Sequence, residues 1–101
     1  MPSPRPPRHR FSDALRTARR ARGLSQEAFS LNSSRTYVST LERGLKMPTL
    51  SKVDELSEVL ELHPLTLLTL SYLDGKDRHL AALLNRVTKE LAEVWGDEAK
   101  G

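Results

Sequence analysis

The sequence predicts an all-α fold, and three observations predict it. Apolar residues recur at three- and four-residue spacing in segment after segment, the period of helices that bury one face. The segment boundaries carry helix-start residues, Ser, Thr or Pro, and glycine closes several of the segments. Nowhere does polarity alternate residue by residue, as a half-buried strand requires.

Residues 1–10, MPSPRPPRHR, hold four of the six prolines. Proline neither donates a helix hydrogen bond nor fits a helix interior, so a flexible arm is expected there. From Ser12 a first helix is predicted: Ser12 can cap it, Asp13 suits its positive end, and Leu15 and Ala18 mark an apolar stripe. Gly23 supplies the left-handed stop that ends this helix near Arg22. Ser25 caps again with Glu27 inside the first turn, which predicts a short second helix over about Gln26 to Leu31 that buries Ala28 and Phe29. Asn32, Ser33 and Ser34 are turn residues, because their side chains bond nearby backbone.

A third helix is expected over about Arg35 to Arg43, with Val38 and Leu41 facing inward and Gly44 as its stop. After the loop Leu45 to Pro48, Thr49 is a good cap, and Leu50, Val53, Leu56, Val59 and Leu60 repeat at helical spacing. The carboxylates of Asp54, Glu55, Glu58 and Glu61 fall largely off that stripe and lack a histidine cluster, so they form a solvated face rather than a metal or acid–base site. Pro64 suits the first position of a fifth helix that carries Leu65, Leu67, Leu68 and Leu70 and closes at Asp74 and Gly75. The last segment, Asp77 to Trp95, repeats Leu80, Leu83, Leu84, Val87, Leu91 and Val94 at roughly heptad spacing. That stripe needs a cover, either its own domain or its copy in a second chain, and Trp95 is expected to act as a packing anchor.

Length and composition narrow the functional classes. The 101 residues suit one compact domain plus tails, with no room for a second catalytic domain. The chain has no cysteine, which excludes disulfides and thiolate metal sites. No apolar run approaches the roughly 18 residues of a membrane span, and the first ten residues lack the apolar core of a signal peptide. A soluble cytoplasmic protein is the expectation. The formal charge of +3 is unevenly placed. Residues 1–46 carry ten Lys and Arg against three acids, a balance of +7, and residues 47–101 carry six against ten, a balance of −4. A basic front on an acidic back suits a face that meets a polyanion, although a merely solvated arginine-rich surface gives the same count.

Two short helices joined by a tight turn, the second fronted by small polar and basic residues, can place one helix in the major groove while the other crosses the backbone. Ser34, Arg35, Thr36 and Thr40 then lie opposite Val38 and Leu41 and could reach base edges. Arginine matches guanine with a bidentate bond, and a threonine methyl matches thymine. Gln26, Arg43 and Lys46 are placed for phosphates, Gln26 through its amide and the positive helix end. Tyr37 has two open uses, bonding a phosphate or packing over the second helix. Arg5, Arg8 and Arg10 of the arm could enter a minor groove or serve as a solubilising tail.

Leu24-Ser25-Gln26-Glu27, Ser34-Arg35-Thr36-Tyr37-Val38-Ser39, Leu41-Glu42-Arg43-Gly44, Pro48-Thr49-Leu50 and Leu62-His63-Pro64 together resemble the Cro/CI (xenobiotic-response-element) family of bacterial and phage regulators. The resemblance covers about residues 11–71. It implies a five-helix, lambda-repressor-like DNA-binding bundle, here with an additional C-terminal helix, that dimerises on palindromic double-stranded DNA and represses transcription. It assigns Gln26 to phosphate contact and Arg35, Thr36 and Thr40 to base reading, and it implies a structural ion pair between Arg19 and Glu42. One departure is plain: between Gln26 and Glu42 the chain is about two residues shorter than the family pattern and lacks its turn glycine. The second helix or its turn must therefore be tightened.

The expected organisation is an arm over 1–10, a helix-turn-helix domain over 11–74, and a C-terminal dimerisation helix with a short tail over 75–101. A competing reading makes the Leu80 to Val94 stripe the seat of a protein partner, as in the antitoxin half of a pair. His9, His63 and His79 are far apart in sequence and read as surface or capping residues. No nucleophile–base set, phosphate loop or zinc spacing is present, so neither an enzyme nor a cofactor is expected. RNA binding is disfavoured by the scarcity of aromatic residues for stacking bases.

Overall fold

The computed structural model describes residues 9–29, 35–73 and 79–100, with side chains through Gly96. In order come α1 (Phe11–Ala21), a 3-10 turn (Gln26–Phe29), α2 (Arg35–Glu42), α3 (Leu50–Leu60), α4 (Pro64–Tyr72) and α5 (Leu80–Lys100). No strand occurs among the described residues. The arm through Arg8, the turn Asn32 to Ser34, the expected second-helix end at Leu31, the Asp74–Gly75 stop and the expected start of the last helix at Asp77 lie outside them.

Local chemistry accounts for most boundaries. Gly23 (φ 68°) and Gly44 (φ 73°) take the left-handed conformation that ends α1 and α2. In both, the glycine N–H and the N–H after it reach back to carbonyls of the last turn: Gly23 to Arg20 and Leu24 to Arg19, then Gly44 to Leu41 and Leu45 to Thr40. α3 closes by the same pattern with Glu61 (φ 56°) in the glycine position, Glu61 bonding Glu58 and Leu62 bonding Ser57. A side-chain Cβ in that conformation costs roughly 1–2 kcal/mol. Thr49 Oγ1 accepts from the Lys52 N–H at 3.2 Å, and His63 Nδ1 accepts from the Leu65 N–H at 3.0 Å with Pro64 in the first turn. At α1 the expected Ser12 cap is not used. Arg10 occupies the cap position without a side-chain bond, and its N–H instead donates to the Ser71 carbonyl at 2.5 Å, tying the start of α1 to α4.

The core is assembled from one face of each of the first elements. Phe11, Ala14, Leu15 and Ala18 of α1 meet Phe29, Val38, Leu41, Val53, Leu56, Leu60 and Leu67. α1 lies against α4 and α2, and α3 lies against α4 and the 3-10 turn. The expected second helix is a single 3-10 turn, and Ala28 is exposed rather than buried. In 3-10 geometry residues three apart eclipse, so Gln26 and Phe29 share the inward side and Ala28 turns away. One such turn has no stability of its own. The full burial of Phe29 holds it, worth roughly 1.5–3 kcal/mol. Leu50, expected on the apolar stripe of its helix, is 75% exposed, Leu65 of α4 is 63% exposed, and Trp95, expected as a packing anchor, is 73% exposed.

Behind α2 the core carries a charge. Glu42 is 3% exposed, and Arg19 grips it with Nε to Oε2 at 2.6 Å and Nη2 to Oε1 at 2.9 Å. The same guanidinium donates to the Leu24 carbonyl at 2.9 Å, and Arg16 donates to the Glu42 carbonyl at 2.6 Å. Burial alone would push the Glu42 carboxyl up. Hydrogen bonds from Arg19 and Gln26, with the charges of Arg19 and Arg16, outweigh it and hold the group below its ordinary range. A depressed carboxylate stabilises the fold fully above its ordinary value near 4.5, and that contribution is lost as pH falls from there through the lower folded value.

Three outcomes follow for stability. Arg19→Met strands the buried carboxylate and should cost about 3–5 kcal/mol by chemical denaturation. Wild-type Tm should fall in acid below about pH 4.5, and the fall should be shallower in Glu42→Gln. Glu61→Gly should raise stability by about 1 kcal/mol, because glycine takes the left-handed position without the Cβ penalty.

Candidate nucleic-acid interface

At 100° per residue, Val38, Leu41 and Glu42 share the inward side of α2, and all three are buried. Arg35, Thr36, Ser39 and Thr40, continued by Arg43 just past the helix end, occupy the opposite arc of roughly 140°. Arg35, Thr36 and Arg43 are exposed, and Ser39 and Thr40 are half-buried. A helix held from behind by two aliphatic side chains and a bonded carboxylate, with small polar and cationic groups in front, is shaped to enter a groove.

The Thr40 hydroxyl donates to the Thr36 carbonyl at 2.7 Å. That bond occupies its proton, which suits Thr40 to apolar contact with a thymine methyl more than to donation. Ser34, the fourth expected base reader, lies outside the described residues. Gln26 stands half-buried at the start of the 3-10 turn, and its Nε2 donates to Glu42 Oε1 at 3.3 Å. The amide has a second proton to offer, so the same side chain can hold the turn against α2 and meet a phosphate. The Tyr37 ring is half-buried against the core, and Lys52 Nζ sits 5.4 Å from its centroid, a cation–π arrangement. That packing is one of the two uses open to Tyr37. Arg43 and Lys46 are exposed at and beyond the end of α2.

Two residues of this surface were not singled out by the sequence. Ser39 lies midway along the outward arc between Arg35 and Arg43, at i+4 and i−4, a placement that helical periodicity alone could have shown. Glu27 pairs with Arg35 across the turn at 3.2 Å, which no spacing rule anticipates.

The remaining polar features belong elsewhere. Arg22 reaches from the end of α1 to the last carbonyls of α3, donating to Leu60 at 2.8 Å and to Glu61 at 3.1 Å. His9 stacks edge-on with Tyr72 at 6.3 Å, His63 caps α4, and His79 is exposed. Among the described residues no group of His, Cys, Asp or Glu could hold a metal ion, and no helix is long and apolar enough to cross a membrane.

Of the tightening expected in the second helix or its turn, the described residues show the 3-10 geometry of Gln26–Phe29 at the position of the second helix. Comparison with curated proteins finds no match, and comparison with solved structures finds none. A family model described as Helix-turn-helix matches residues 15–67, just over half of the chain, from the middle of α1 to the middle of α4. That span contains the 3-10 turn, α2 and the Arg19–Glu42 pair. The chain therefore belongs to the helix-turn-helix family of XRE-type, DNA-binding transcription regulators.

Proposed function

We propose that the chain is a homodimeric repressor that reads a palindromic operator through α2. Arg35, Thr36 and Thr40 meet base edges, and Gln26, Arg43 and Lys46 meet phosphates, with the Tyr37 ring supporting the helix beside them. The observation that carries this reading is the polarity of α2. Its inward side is fixed by Val38, Leu41 and the bonded Glu42, and its outward arc offers only side chains suited to nucleic acid. Residues 11–74 form the DNA-binding unit, without catalytic activity or cofactor, and the protein acts in the cytoplasm.

Dimerisation is assigned to residues 75–101. Leu84, Val87, Leu91 and Val94 follow a three-four-three spacing along α5, and each is 42% or more exposed. At 1.5 Å per residue the helix is about 30 Å long, enough for a self-complementary seam across a twofold axis. Its first turn borders a groove of about 460 Å³ lined by Leu65, Leu70, Leu73, Leu80 and Leu84. That groove extends the apolar surface onto α4.

Selection of bound duplexes from a random pool should return a palindrome with half-sites about one helical turn apart. On that site Arg35→Ala should cost about 1–3 kcal/mol and relax preference at one base, whereas Gln26→Ala should weaken all sequences alike. Loss of neither would overturn the assignment. In sedimentation equilibrium the wild-type chain should be a dimer and Leu91→Glu a monomer at the same concentration. A wild-type chain that stays monomeric even on the selected duplex would place the α5 stripe against another protein instead.

A further inference from the structure

The ion pair between Glu27 Oε1 and Arg35 Nη1, at 3.2 Å, joins the 3-10 turn to the leading residue of α2. Both side chains are about two-thirds exposed, 69% and 68%. Pairs so exposed add little to stability, so a purely structural purpose is a poor account of it. Its placement is more informative. Arg35 begins α2, where the positive helix end disfavours a cation, and near DNA the phosphates would compete for its guanidinium. Glu27 offers a fixed alternative, because its turn is anchored by the fully buried Phe29 and by the Gln26–Glu42 hydrogen bond. The bond to Glu27 engages one nitrogen of the guanidinium. Five N–H groups are present in all, so another edge of the fork can still give guanine O6 and N7 their parallel pair.

We infer that Glu27 is a positioning residue that sets base specificity by holding the Arg35 fork toward the groove. The inference rests on the reading of Arg35 as a base contact. Glu27 acts in two opposed directions: its negative charge repels phosphate and lowers affinity for every sequence, while its grip keeps Arg35 off the phosphates and sharpens the choice at one base. Affinity is traded for discrimination.

Glu27→Gln, Arg35→Ala and the double variant test this by base-preference profiling on the selected duplex and by titration of an unrelated duplex across salt concentrations. Glu27→Gln should reduce discrimination at a single position roughly two- to fivefold, the range open to an exposed pair. It should also tighten binding to the unrelated duplex and steepen its salt dependence by about one phosphate's worth, a slope change near 0.9. In the Arg35→Ala background the substitution should leave discrimination at that position unchanged. If Arg35→Ala erases one preference while Glu27→Gln shifts affinity uniformly and leaves the preference intact, the inference fails alone. If Arg35→Ala leaves every preference intact, the base-contact reading fails and the inference fails with it.

Discussion

The buried carboxylate of Glu42 is the constraint on which the rest of the structure depends. A charge that deep is tolerable only while its oxygens are bonded, and the donors come from two other elements, Arg19 of α1 and Gln26 of the 3-10 turn. Apolar contact is non-directional and would let α2 rotate or slide over the core at modest cost. Hydrogen bonds to a carboxylate are directional, and a bidentate guanidinium is doubly so. The angle at which α2 presents its outward side is therefore set from behind, by polar geometry.

The same arrangement changes what the basic front half means. Of the ten cations in residues 1–46, Arg16, Arg19 and Arg22 donate to acceptors inside the fold: the Glu42 carbonyl, the Glu42 carboxylate, and the ends of α3. These arginines are structural staples. Their charges remain in the balance, but their guanidinium protons are committed to the fold and not to direct phosphate contact. Among the described residues, the exposed cations at and just beyond α2 are Arg35, Arg43 and Lys46, and Arg35 is paired with Glu27.

What could be read beforehand divides along physical lines. Thr49, Pro64, Gly23 and Gly44 act through their own backbone and nearest neighbours, so their boundaries were legible without the fold. The outward arc of α2 was legible too, since periodicity needs only the helix itself. The 3-10 turn was not, because four residues carry no period and the stability of the turn comes from burying Phe29 among distant partners. Arg22 capping carbonyls 38 and 39 residues away is invisible for the same reason. A stripe of leucines shows that a face is apolar and never what covers it, which is why the repeat that contains Leu50 does not reveal that this residue faces outward. Arg19–Glu42 was anticipated through family resemblance, where spacing alone would have offered several carboxylates.

The position of Trp95 has a spectroscopic consequence. It is the sole indole in the chain, and it stands exposed near the end of α5, outside the aliphatic core cluster. Indole emission, excited beyond the tyrosine band so that Tyr37 and Tyr72 stay silent, accordingly carries little signal from melting of the DNA-reading bundle. It reports instead on whatever settles over the last helix, which makes an unlabelled fluorimeter trace a direct gauge of that event.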